Sequence, residues 1–224
     1  MQDTDRRERL WSRWIDMIDK FGFVDPTCKH EVWEEIVKYY SEPHRHYHTL
    51  QHIDECLDLF DALEGDPCAT KEVEWAIWMH DIVYDPRSKM NEDNSCAVSA
   101  TLMTWLDIMP PSLYHINGLI MATKTHDHVL PNTEQSLLVD IDLGILGAAN
   151  GRFVEYEQQI RREYGFVHRD DYYPAREKIM LGFASKSPMY QHAELQRMLG
   201  PQAAKNLYPY VYEASLYPEM TPNE

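Results

Sequence analysis

Residues 78–85 read WMHDIVYD. His80 and Asp81 stand side by side in an otherwise apolar helical run. A carboxylate is rarely buried without a partner. A divalent cation is one such partner, since it neutralises the carboxylate and takes the lone pair of a neutral imidazole. A helix-end Asp making a capping or salt-bridge contact is the other reading. Just upstream, Thr70 is placed to cap this helix, and Val73, Ile77 and Val83 share its apolar side.

The same helical period recurs on both sides of this run. Towards the N-terminus, Leu10, Trp11, Trp14, Ile15 and Ile18 form one helix, stopped by Gly22. Asp25-Pro26 caps a second, with Val32, Trp33, Ile36, Val37 and Tyr40, ending before Pro43. A third carries Leu50, Ile53, Leu57 and Phe60 and closes near Gly65. Towards the C-terminus, helices are predicted over 91–109, 112–126, 133–147, 152–164, 171–185 and 188–208, with Pro110-Pro111 ending the first of these and Gly200-Pro201 breaking the last. No strand alternation and no internal repeat interrupts them. The fold class is therefore all-α, a single domain of about ten helices over 1–216, with 217–224 as a loose tail.

The chain has 224 residues and is 44% hydrophobic, enough for a sizeable core. Its 21 basic and 37 acidic side chains leave a net charge of -16, which argues against gripping a nucleic-acid polymer. A small phosphate ester stays open, because a bound cation and a few basic residues can reverse the field within one pocket. Cys28, Cys56, Cys68 and Cys96 form no C-x-x-C pair and read as reduced thiols. MQDTDRRERLW has no apolar secretory core, and no run reaches the length of a membrane span, so a cytoplasmic protein is expected.

Two further stretches bear on His80-Asp81. Residues 45–54 read RHYHTLQHID, with histidines at 46, 48 and 52. If the third helix starts near His48, then His48 and His52 lie one turn apart, on a face distinct from the apolar side of Ile53, Leu57 and Phe60. Alone, such a pair reads as surface or hydrogen-bonded structural histidines. Residues 136–147 read SLLVDIDLGILG, with Asp140 and Asp142 inside an apolar helix. Residues two apart point to different sides, so either one suits a metal and the other a structural acceptor, or both are partly exposed.

In chain order the pieces read His, His-Asp, Asp. On an all-α background this resembles the HD-domain superfamily of metal-dependent phosphohydrolases. The resemblance is carried by YHTLQH (47–52), His80-Asp81 and Asp140-Ile-Asp142, and is nearest to a branch of small predicted hydrolases with runs like HDIVYDP, NEDNSCAVSA, ATKTH, DIDLGILG and IRREY. It spans about residues 40–210, and implies a divalent metal (Mn, Fe, Co, Ni, Zn or Mg) held by His52, His80, Asp81 and a later Asp. Asp142 is preferred for that position, ahead of an apolar-containing L-G-I-L run, with Asp140 second. YHTLQH also looks like the YHNxxH motif of cyclic-nucleotide phosphodiesterases, which makes His48 the general acid, although Thr49 departs from the motif's Asn.

Asp81 is also a candidate to orient the attacking water. Arg45 and Lys124 are the preferred phosphate contacts, each beside a histidine cluster, whereas Arg87, Lys89, Arg161, Arg162 and Arg176 read as solvated charges. Glu92 either reaches the metal's outer sphere or favours a helix N-terminus. His126 and His128 are either loop residues or ligands to a second metal. The implied substrate is a small phosphorylated compound, with nucleotides among the options. A di-iron oxygenase on the same scaffold and a non-catalytic metal- or nucleotide-binding module are the alternatives. A homodimer is permitted but not required.

Overall fold

The computed structural model describes residues 3–23, 25–108, 110–126 and 130–216. Ten α-helices and one 3-10 helix are found among them, and no strand. Helix α1 covers Asp3–Lys20, α2 Pro26–Tyr40, α3 Leu50–Asp61, α4 Lys71–Met79 and α5 Asn91–Trp105. Helix α6 covers Pro110–Ala122 and α7 Glu134–Asp142, which runs into the 3-10 helix Leu143–Gly147. Then come α8, Asn150–Glu163, α9, Arg169–Ala184, and α10, Ala193–Leu216. They form a single helical domain. No described helix is long and apolar enough to cross a membrane. The tail 217–224 lies outside the described residues.

The element holding His80-Asp81 is the hub. Val73 through Met79 are all buried, and α4 packs against α1, α3, α5, α6 and α7. A helix apolar on every side has no solvent face to present, so its neighbours must enclose it. Trp75 and Trp78 fill the space to Trp14 of α1, with ring centroids 5.5 and 5.7 Å apart. Trp75 Nε1 donates to Ser99 Oγ at 2.9 Å, satisfying its one polar atom. Glu74 is buried here too, paired with Lys20 at 2.7 Å and Arg13 at 3.2 Å.

Several boundaries differ from the sequence expectation. Helix α4 stops at Met79, so Val83 lies beyond it and His80-Asp81 occupy the turn that follows. The end is fixed from outside: Tyr40 Oη donates to Trp78 O, and the Arg45 guanidinium donates to Asp81 O and Ile82 O. These bonds satisfy carbonyls that a continuing helix would use. Pro110-Pro111 open α6 instead of merely ending α5, which already stops at Trp105. The last helix begins at Ala193, not near 188, and runs unbroken through Gly200-Pro201 and Pro209. Each proline removes one ladder bond, but α10 is packed on the 3-10 helix, α9 and α7, with Ala203 and Leu207 buried, and that packing carries it through.

Candidate metal centre

Three segments, distant in sequence, deliver the donors. His52 comes from the first turn of α3, whose N-cap Thr49 accepts from Gln51 N at 3.3 Å. His80 and Asp81 come from the turn closing α4, and Asp142 is the last residue of α7. One donor atom from each lies within 4.8 Å of all the others, a grouping able to hold a metal ion.

The separations fit a single ion. His52 Nε2 and His80 Nε2 are 3.1 Å apart. Asp81 Oδ2 lies 3.6 Å from the first and 3.3 Å from the second, and Asp142 Oδ1 lies 3.3 and 3.4 Å from them. Ligands about 2.0–2.2 Å from one ion stand at about such mutual distances. His80 Nδ1 lies 2.9 Å from Ile77 O, which sets it as the protonated nitrogen and leaves the Nε2 lone pair pointing inward. His52, expected away from the core, is buried.

The electrostatics agree. Burial pushes the Asp142 carboxyl up, but the charge of His80 and hydrogen bonds from His126, His52 and His80 outweigh it and hold the group well below the usual carboxylate range. Asp81 is likewise lowered, burial being overcome by His80 and His48. His80 is raised well above an ordinary imidazole, because Asp81 and Asp142 outweigh its burial. Two half-buried carboxylates held as anions beside two buried imidazoles form a mixed oxygen–nitrogen donor set for a divalent cation.

His48 stands at the rim. It precedes α3 instead of sharing its face with His52, and its ring lies 6.0 Å from that of His52. Its Nε2 is 3.8 Å from Asp81 Oδ2. Its Nδ1 is 2.7 Å from Glu163 Oε2, and its ring stacks on Tyr84 at 3.9 Å. Glu163 was not singled out by sequence. Its Oε1 accepts from the backbone N–H of His46, Tyr47 and His48 at 2.7, 2.7 and 3.0 Å, and Oε2 accepts from Tyr84 Oη at 3.0 Å. Burial pushes this carboxyl up, but His48 and the backbone donors outweigh it and lower it to about 2. Its position in the IRREY run, at the end of α8, was the available signal.

Other expectations are redirected. Asp140 faces away from the group and accepts from His192 N at 2.5 Å, so it is not a ligand. Two-residue spacing turned the two carboxylates of the D-I-D run to different sides. Arg45 is no phosphate contact: its side chain is fully buried, donating to Asp81 O at 2.7 Å, Ile82 O at 2.8 Å and His48 O at 3.2 Å. Lys124 is held by Asp93 at 2.5 Å, with Glu92 at 3.9 Å, and Glu92 sits in the first turn of α5. His126 Nε2 reaches the outer oxygen of Asp142 at 2.8 Å, whereas His128 lies outside the described residues. Arg161 donates to Tyr164 O and Val167 O, and Arg176 pairs with Glu157.

Two cavities border this region. One of about 290 Å³ touches His52 and Asp142 and is walled by Tyr47, Leu59, Ile145 and Leu199, with Arg152 at its side. Arg152, also missed by sequence, is fixed to Glu55 at 2.6 and 3.0 Å. Gly144 lets the Leu59 side chain pack directly on the backbone of this wall, since a Cβ there would collide with it. The other cavity, about 580 Å³, lies behind Tyr84 and Glu163 and is lined by Arg87 and Arg162. No protein-family model and no curated protein matches the chain.

Proposed function

We propose that this chain is a metal-dependent phosphohydrolase of the HD-domain type, acting on a small phosphate ester. The observation that carries it is the setting of His48: Nδ1 is held by ionised Glu163 at 2.7 Å while Nε2 faces Asp81 at 3.8 Å. A purely structural metal centre has no use for a separately anchored imidazole at its edge. Such an imidazole suits proton delivery to a leaving oxygen.

His52, His80, Asp81 and Asp142 would hold the divalent ion. When bound, it supplies Lewis acidity and lowers the pKa of a coordinated water towards neutrality. Glu163 orients His48 and favours its protonated form, leaving the Nε2 proton directed at the ligand group. Asp81 sits between His48 and His80, placed to orient a water. Arg45 holds the Asp81 backbone in register. The cavity on His52 and Asp142, at about 290 Å³, is at the lower end of small-molecule sites, which favours a small substrate over a polymer.

The test is metal content by mass spectrometry, with hydrolysis of a phosphate-ester panel, on wild type and Asp142→Ala. Turnover in wild type, with that turnover and about one ion per chain lost in the variant, supports the proposal. Wild type holding no more metal than the variant after supplementation, or extra metal without hydrolysis across the panel, overturns it; the latter leaves a metal-binding module.

One observation favours a two-ion variant. Asp142 Oδ1 faces His52 and His80, whereas Oδ2 takes His126, so the carboxylate is split as a bridging ligand would be. Two irons per chain with oxygen-dependent turnover would select the di-iron oxygenase instead.

A further inference from the structure

A second group of donors lies apart from this centre. Asp66 and Cys68 sit in the loop between α3 and α4, and His192 immediately precedes α10. One donor atom from each lies within 4.8 Å of the others. His192 Nε2 is 3.3 Å from Asp66 Oδ2. Cys68 Sγ is 3.5 Å from Asn132 O, and Cys68 N donates to Asp66 Oδ1 at 2.8 Å.

Hydrogen bonding within the protein does not fully account for His192. The residue is 3% exposed, and its Nδ1 is buried with no partner. The surrounding backbone is nevertheless fixed around it. His192 N donates to Asp140 Oδ2, Ala193 N donates to Asn132 Oδ1 at 3.0 Å, and Asn132 holds a left-handed φ of 53°. Asp140, the unused half of the D-I-D run, thus positions His192.

We propose that Asp66, Cys68 and His192 form a second, separate metal site of the zinc class. Sulfur, nitrogen and oxygen donors together suit a borderline-soft ion, and the 3.3 Å oxygen–nitrogen separation matches donors about 2.0–2.2 Å from a shared tetrahedral centre. The site joins the α3–α4 loop to the start of α10, and Asn132, before α7, contacts both through Cys68 Sγ and Ala193 N. Its role is to tie that loop to the entry of the C-terminal helix, which Asp140 of α7 positions through His192 N.

The chemical signature is a thiolate ligand, which the centre of His52, His80, Asp81 and Asp142 lacks. The test is cobalt(II) substitution of the full-length chain, read by absorption spectroscopy, with zinc content measured in parallel. Wild type should show a thiolate-to-cobalt charge-transfer band. Cys68→Ser should abolish it, and Cys56→Ser, beside His52, should preserve it. Asp142→Ala should lose the ion of the first centre and retain one zinc per chain. Absence of the band in wild type overturns the proposal without any variant needing to fold. So does a band that survives Cys68→Ser. Since the band reports only the thiolate site, these outcomes are independent of whether the first centre hydrolyses phosphate esters.

Discussion

Glu163 holds three consecutive backbone N–H groups with one oxygen and the ring of His48 with the other. Replacing it by Gln keeps the shape and removes the charge. Glu163→Gln is expected to retain metal while turnover falls by about 10–100-fold, as for other groups that orient a functional imidazole; metal analysis with kcat checks this. The carboxyl is lowered to about 2 from an ordinary 4.5, which corresponds to about 3 kcal/mol of stability. A depressed carboxyl stabilises the fold above its unfolded value and loses that contribution as pH falls. The stability difference between wild type and Glu163→Gln should therefore be complete above about pH 5 and shrink between about 4.5 and 2, measured by urea unfolding across that window. His48→Ala should keep its metal and lose about 10²–10⁴ in turnover. Loss of the metal instead would make His48 a ligand.

At the scale of elements, the turn after α4 decides whether Asp81 reaches the centre. Arg45 braces it from a position before α3, with its guanidinium stacked 5.1 Å from the Tyr40 ring. Arg45→Ala should lower unfolding stability by about 2–4 kcal/mol, because several buried carbonyls lose their donor together. Arg45→Lys should recover only part of that, since an ammonium cannot fork between Asp81 O and Ile82 O. Urea unfolding beside the Michaelis constant distinguishes this brace from a phosphate contact, which would raise the Michaelis constant at unchanged stability. Sequence periodicity placed α4 correctly but carried it too far, because the apolar run continues into Ile82-Val83 while the stop is imposed by another segment. It also broke α10 at Gly200-Pro201, where burial against the 3-10 helix and α9 outweighs the lost ladder bond.

For the molecule as a whole, the four donors come from α3, the turn after α4 and the end of α7, and meet around the hub. An ion bound to the folded state alone adds about 2.7 kcal/mol at a hundredfold excess over its dissociation constant, or about 5–10 °C in Tm for a chain of this size. Chelation should lower the Tm of wild type by that order, followed by scanning calorimetry. In Asp142→Ala the chelation effect should contract to whatever the Cys68 site contributes.

The sequence by itself determined the helical class and the approximate number of elements, since helical period is a local signal. Its resemblance to a known superfamily singled out His52, His80 and Asp81 and preferred Asp142 over Asp140 beside them, and Arg45 and Lys124 were assigned to phosphate. Only the tertiary structure separated the two carboxylates, buried Arg45 against the Asp81 carbonyl, paired Lys124 with Asp93, and brought Glu163 to His48 and His192 to Cys68. The reason is physical. Periodicity records which side of a helix avoids water, whereas the partner of a buried charge is chosen by whichever distant segment the packing brings within hydrogen-bonding distance.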